Sequence, residues 1–431
     1  MNKARKEFLC SRLGFSDASG GRKWYHGGKI TRGESKMRIP ALELQARVAQ
    51  LQDRLRGEGI DGALLVQRAD TLYYSGTAQN VHMYIPRDGR PVVLAYRDVE
   101  RAQTESSWGV LPLTGISKLP LLIQGAQLPL PRVIGLEFDV LPVAQFERYR
   151  KAFPEARYVD VSGLIRRQRA VKSAWEIERL QEAAQIHAQV FEYAKEVIRP
   201  GMSEAELEGL LEGKARALGH SGYVRTRAFG SEFHFGSVTA GARAAVPSYF
   251  DGPVVGQGIS IENPIGASLA PIAAGEPLVF DMVMCWRGYQ IDQTRTLAIG
   301  HLDRELREAY ELACAIAEKV RLALVPGRIA GDIYQEIIDW VRQETAYAEN
   351  FMGYGPGRVS FIGHGVGLEL DELPTLSRGS QEVLLPGMVV AVEPKFVFPG
   401  VGVAGIEDTL VVEGASGARY LSVAPRELAI L

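Results

Sequence analysis

Two stretches of this chain place acidic residues inside runs too apolar for surface loops, and any fold must account for them. LVFDMVMCWRGYQIDQTRTLAI (278–299) reads as two β-strands joined at Trp286-Arg287-Gly288. A tight turn centred between Trp286 and Arg287 sets Asp281 opposite Asp292. Directly opposed residues share one face of the sheet, with Cβ atoms about 4.5–5.5 Å apart. Like charges so placed repel unless a cation or a proton stands between them. VVAVEPKFVFPGVGVAGIEDTLVV (389–412) repeats the arrangement. Reflection through its turn near Pro399-Gly400 lands Glu393 on Glu407. One such pair has a bland surface explanation. Two, each flanked by apolar strand residues, imply buried carboxylates that need partners.

A histidine stands between the two hairpins. GHGVGLELDE (363–372) carries His364 among Gly363, Gly365 and Gly367, in a chain with 7 histidines. Glycine there lets backbone and substrate approach closely. Four carboxylates and one imidazole suit divalent metals of intermediate hardness, namely Mn, Co, Fe or Zn. That is more anionic oxygen than one tetrahedral zinc needs, and it suits two cations about 3.5–4 Å apart sharing bridging carboxylates.

The rest of the chain supplies the frame. A length of 431 residues predicts two or three domains. Residues 1–36 carry nine Lys/Arg against three Asp/Glu and no apolar core of a signal peptide, so they read as a tail or as sequence before a natural start at Met37. From 37 to 165, DGALLV and RVIGLEF read as buried strands, MYIPRDGRPVVLAY as a hairpin, and LELQARVAQLQDRLR and PVAQFERYRKAF as amphipathic helices. That is an α/β domain. His82 and Trp108 in it read as packing or rim residues.

From 166 to 431 the texture changes. A long helix opens near 166, with Ile177, Leu180, Ala184, Phe191, Ala194 and Ile198 on one stripe, and stops at Pro200-Gly201. Ser203 caps the next helix, with Glu206 three residues on. Helix, Pro-Gly, helix and strands recur after LREAYELACAIAEKVRLALVPG, offset by 126 residues. Two similar halves facing each other would build a cleft between them.

These motifs carry a resemblance. Asp281, ten intervening residues, Asp292 followed by TRT, then GHGVGLE, VEP and IED resemble the M24 metallopeptidases: aminopeptidase P, prolidase and methionine aminopeptidase. The α/β domain in front is similar to that of the aminopeptidase P, prolidase and creatinase branch. The resemblance implies an α/β N-terminal domain plus an α+β pita-bread catalytic domain of two pseudo-symmetric halves. It implies that Asp292 and Glu407 bridge two divalent ions, that Asp281 holds one, and that His364 and Glu393 hold the other. It also implies a metal-bound hydroxide attacking a peptide carbonyl, with Glu393 handling the proton and an N-terminal residue or dipeptide released.

The sequence departs from the family pattern around that shell. Ser248 stands for the histidine of PHY, Ser360 and Asp371 for two further histidines, and Gly405 for an arginine. A small non-peptide metabolite as substrate of a hydrolase or lyase, and a non-catalytic metal-binding role, therefore remain alternatives. Asp371 could face a substrate cation, stay protonated and donate, or point to solvent. His234 is either a substitute proton donor or a packing residue. Ser248, Tyr249, Ser360 and Arg295 are candidates for contacting substrate. His187 and His220 read as structural, and Cys285 as core. Gly400-Val-Gly402-Val-Ala-Gly405 matches GxGxxG, but a strand rather than a helix follows, so no dinucleotide site is expected.

Composition limits the partners. A net charge of −2 with both signs interspersed gives no footprint for nucleic acid. No apolar run approaches the roughly 18 residues of a membrane span. Three widely spaced cysteines fit a reducing cytoplasm. The expected protein is a cytoplasmic homodimer acting on a small peptide or small molecule.

Overall fold

The computed structural model describes residues 38–230 and 233–431, which form two compact units. The expected tail, residues 1–36, lies outside the described residues.

The first unit comprises the described residues up to Leu136 together with Pro142–Val159. Its strands are β1 (Gly62–Leu65), β2 (Val81–Pro86), β3 (Val92–Ala95), β4 (Val110–Pro112), β5 (Val133–Leu136) and β6 (Arg157–Asp160), in the sheet order β4-β3-β2-β1-β5-β6. Strand β1 is antiparallel to β2 and parallel to β5. The helices are α1 (Ala41–Gly57), α2 (Arg68–Ser75), α3 (Val99–Glu105), α4 (Leu119–Gly125) and α5 (Val143–Ala152). Leu44, Val48, Leu51 and Leu55 of α1 recur at helical spacing and are buried. His82 is a core residue: its Nε2 lies 2.7 Å from the Tyr149 hydroxyl. Burial pushes its pKa down to about 4, so it stays neutral. Trp108 donates its indole N–H to the Tyr74 carbonyl at 2.8 Å.

The second unit, Glu137–Leu141 with Asp160–Leu431, is built from two similar halves. The first half has α6 (Ser162–Ala170), α7 (Ala174–Val197), α8 (Glu204–Ala217), β7 (Gly236–Ala240), β8 (Pro277–Trp286) and β9 (Tyr289–Ala298). The second has α9 (Arg304–Ala323), α10 (Ala330–Glu344), β10 (Phe361–Gly365), β11 (Glu372–Ser377), β12 (Val389–Val392), β13 (Lys395–Phe398), β14 (Gly402–Gly405), β15 (Asp408–Gly414) and β16 (Gly417–Tyr420), and the last strand, β17 (Ala429–Ile430), returns to pair in parallel with β9 of the first half. In each half a helix pair covers antiparallel strands: α7 packs on β8 and β9, α10 on β11, and α9 on β14 and β16.

The long helix expected from about 166 is two helices. Its first part, α6, ends at Ala170, and Ser173 caps α7 in a capping box with Glu176. Extended backbone at Val171 forms a bridge to Met388 and breaks the run. The GxGxxG segment is the turn after β13 followed by strand β14, with no helix behind it. Among the described residues no helix is long and apolar enough to cross a membrane.

Candidate metal centre

The β8–β9 hairpin turns on Arg287 and Gly288, with φ of 52° and 88°. A two-residue turn with positive φ at both positions matches the twist of its strands. Trp286 therefore pairs with Tyr289, Asp281 with Thr294, and Asp292 with Val283. Direct opposition of Asp281 and Asp292 is thus overturned. They are diagonal neighbours on one face, a spacing of about 7–8 Å. In the second hairpin, Val392 pairs with Asp408 and Lys395 with Gly405. These ladders flank Glu393 and Glu407 and match the expected reflection of one onto the other.

His364 sits on β10 between Thr375 of β11 and Ala391 of β12. Its glycines are there because strands crowd the backbone. A Cβ at Gly363 would lie 2.5 Å from the Ala391 carbonyl oxygen, and one at Gly365 would lie 2.3 Å from that of Leu373. Gly365→Ala should therefore cost about 1–3 kcal/mol in urea denaturation and weaken divalent-ion uptake by displacing His364. Unchanged stability would show that β11 yields freely. His364 Nδ1 lies 3.3 Å from the Gly365 carbonyl oxygen, where it can donate, leaving Nε2 for the shell.

His364 Nε2 lies 3.6 Å from Glu393 Oε1, 3.8 Å from Asp292 Oδ2 and 3.9 Å from Glu407 Oε1. Asp292, His364 and Glu407 can each bring a ligand atom within 4.8 Å of the others. Glu407 Oε1 is buried without a hydrogen-bond partner, while Oε2 accepts from the Thr294 hydroxyl at 2.7 Å. A buried carboxylate oxygen left open toward an imidazole and two more carboxylates fits a divalent cation of intermediate hardness.

The far side of the shell holds a residue for which the sequence reading had no role. Lys395 Nζ donates to Glu393 Oε2 at 2.8 Å, and to Asp281 Oδ2 and Glu407 Oε2 at 3.1 Å each. Burial opposes the charged amine, but Asp281, Glu393 and Glu407 outweigh it and hold its pKa well above the ordinary lysine value. Burial also raises the pKa of Asp292 well above the carboxylate range, and repulsion from Glu407 and Asp281 adds to it. Asp281 and Glu407 are raised by burial too, with Lys395 pulling the other way.

The shell forms the floor of a cleft of about 470 Å³ walled by Phe229, Phe233, Phe250, Val254, Ile265 and Phe361. Tyr249, His234 and Asp371 also line it, whereas Ser248, Ser360 and Arg295 do not. His234 Nε2 lies 3.0 Å from Asn263 Oδ1. Arg295 is buried behind the shell, donating to Asp408 Oδ1 at 2.7 Å and to the carbonyls of Pro425 and Ala424. Ser360 is exposed, and its carbonyl accepts from the Arg378 backbone N–H. Asp371 is engaged on both oxygens by backbone donors. Its Oδ1 accepts from the Arg227 N–H at 2.8 Å and its Oδ2 from the Ala228 N–H at 3.1 Å, holding the loop that leads to Phe229.

The acidic neighbours of Asp371 pair with basic residues far away in sequence. Arg169 meets Glu369 Oε2 at 2.8 Å and Glu372 Oε1 at 2.5 Å, and Lys172 meets Glu372 Oε2 at 3.0 Å. His187 and His220 are structural, with Nε2 of each 3.2 Å from the carbonyl of Gln293 and Val283, respectively. Cys285 is buried in β8.

Comparison with known proteins agrees with this architecture. Residues 178–414 match the model of metallopeptidase family M24, and residues 47–171 that of the creatinase/prolidase N-terminal domain. A Xaa-Pro dipeptidase of Pyrococcus furiosus is 26% identical over 387 residues, covering 89% of this chain and 100% of the relative. An uncharacterized peptidase of Bacillus subtilis is 27% identical, covering 86% of this chain and 96% of the relative. The solved structure of a Xaa-Pro dipeptidase from Bacillus anthracis superposes with a TM-score of 0.75 at 27% identity, covering 90% of this chain and 100% of its own. The prolidase of Pyrococcus horikoshii, at 24% identity and a TM-score of 0.74, shares the fold over 89% of this chain and 99% of its own. The match spans both halves and every residue of the shell, so the chain belongs to metallopeptidase family M24.

Proposed function

We propose that this chain is a metal-dependent hydrolase of short peptides, with Xaa-Pro dipeptides as its first candidate substrates. The observation that carries the reading is the convergence of Asp292, His364, Glu393 and Glu407 on the floor of an apolar cleft. Those four residues would hold a divalent ion (Mn, Co, Fe or Zn), which when bound polarises a carbonyl and lowers the pKa of water. Glu393 has one oxygen fixed by Lys395 and the other turned toward His364. A carboxylate oriented in this way is suited to take a proton and return it to a leaving amine. The aromatic and aliphatic walls would receive a small apolar side chain or a proline ring and exclude water from the scissile bond. His234 and Tyr249, on the same walls, are candidates for contacting the peptide termini. The free thiols of Cys285 and Cys314 suit a reducing compartment such as the cytoplasm.

The test is to strip the protein with chelator, reload it with Mn²⁺ or Co²⁺, and assay it against Xaa-Pro dipeptides, other dipeptides and Xaa-Pro-Xaa tripeptides. Ion-dependent cleavage that favours two-residue Xaa-Pro substrates is expected. Ion bound without cleavage of any peptide would overturn the peptide assignment.

A further inference from the structure

The geometry points to Lys395 as a built-in cation standing where a second divalent ion would sit, so that this chain takes one divalent ion rather than two. The inference rests on the metal-dependent reading above and narrows it.

Lys395 divides the shell by oxygen atom. Its ammonium lies 2.8–3.1 Å from Asp281 Oδ2, Glu393 Oε2 and Glu407 Oε2. An ion bound to the same three oxygens at about 2.0–2.2 Å would fall inside the volume of that ammonium. Ion and amine therefore exclude each other by space and by charge. The opposite oxygens, Glu393 Oε1 and Glu407 Oε1, face His364 Nε2 together with Asp292 Oδ2. Each glutamate thus gives one oxygen to the ammonium and keeps the other for an ion, as a carboxylate bridging two cations would.

The lysine is held in place by its own strand pair. It stands on β13 directly across from Gly405, where a Cβ would lie 2.5 Å from Lys395 Cγ. Any larger residue at 405 would displace the stem. The side chain is 2% exposed. An ammonium has three donors, and Asp281, Glu393 and Glu407 accept all three. None is left for substrate, so Lys395 is a positioning residue: it supplies charge and fixes Glu393, and it does not protonate the leaving group.

The decisive measurement is ion stoichiometry on the full chain, by calorimetric titration with Mn²⁺ and by Mn²⁺ electron paramagnetic resonance. Wild type should bind one equivalent and give an isolated six-line signal. Asp281→Asn should still bind one equivalent, because Asp281 serves the ammonium and not the ion. Lys395→Ala should take up a second equivalent and show the spectrum of an exchange-coupled pair. Two equivalents in the wild type, or loss of the bound ion in Asp281→Asn, would overturn the inference while leaving metal dependence intact. No binding at all would overturn both. A folded Lys395→Ala protein that still binds one equivalent would also count against it.

Discussion

Asp292→Asn should give opposite stability changes in the presence and absence of metal. With excess divalent ion, the variant should melt below wild type, lose ion affinity by more than about 100-fold, and lose nearly all peptide cleavage. In chelator it should melt above wild type. The reasoning starts from the charges. Three carboxylates hold one ammonium, and a fourth, Asp292, faces His364 on the side that the ammonium does not reach. Its backbone neighbour Gln293 donates to Oδ1 at 2.9 Å, so the side chain is fixed with Oδ2 turned toward His364. Without a cation, burial first and then repulsion from Glu407 and Asp281 penalise its charged form, which is why its pKa stands well above the ordinary range. An amide of the same shape removes the repulsion.

With a cation the sign reverses. A ligand present at 100 times its dissociation constant stabilises the folded chain by about 2.7 kcal/mol. Loss of affinity in the variant removes most of that. At roughly 2–4 °C per kcal/mol for a domain of this size, both arms are resolvable by thermal melting. A variant that melts below wild type in chelator as well as in metal would show that Asp292 is a structural acceptor, not a charge held for an ion.

What the sequence made legible follows from how each feature is encoded. The clustering of the acidic residues was legible because each sits inside an apolar strand run, where a buried carboxylate needs a partner. The register of the first hairpin was misread because the turn was centred one residue early. The signal was available in Gly288, since a two-residue turn of this type favours glycine at its second position. The break before α7 was likewise written in Ser173 and Glu176, a capping box inside what looked like a continuous helical stripe. Lys395 was passed over because a lysine on a strand usually reaches solvent. Its burial depends on Gly405 across the ladder, a pairing that becomes visible only when the register is known. The acidic run after His364 was beyond reach for a different reason. Its partners Arg169 and Lys172 lie about two hundred residues earlier, and nothing local announces them.

That distant pairing carries the second large effect. Glu372→Gln should destabilise the protein by about 3–5 kcal/mol at neutral pH, with ion affinity changed far less than by Asp292→Asn. Glu372 is buried between Arg169 and Lys172, and its Oε1 also accepts from the Glu369 backbone N–H at 3.1 Å. Burial alone would raise its pKa, but Arg169 and then Lys172 outweigh burial and hold it at about 2, against an ordinary value of 4.5. A depressed carboxylate pKa stabilises the fold above the unfolded value and ceases to do so as pH falls through the folded one. The window is therefore pH 4.5 down to about 2, and the fall corresponds to about 3 kcal/mol. Gln does not titrate. The stability gap between wild type and variant should be full at pH 7, begin to close below pH 4.5, and be largely gone near pH 2. Denaturant unfolding of both proteins across that range reads it directly. A gap that stays constant with pH would assign the loss to packing or geometry at position 372 rather than to the charge that clamps β11 to α6.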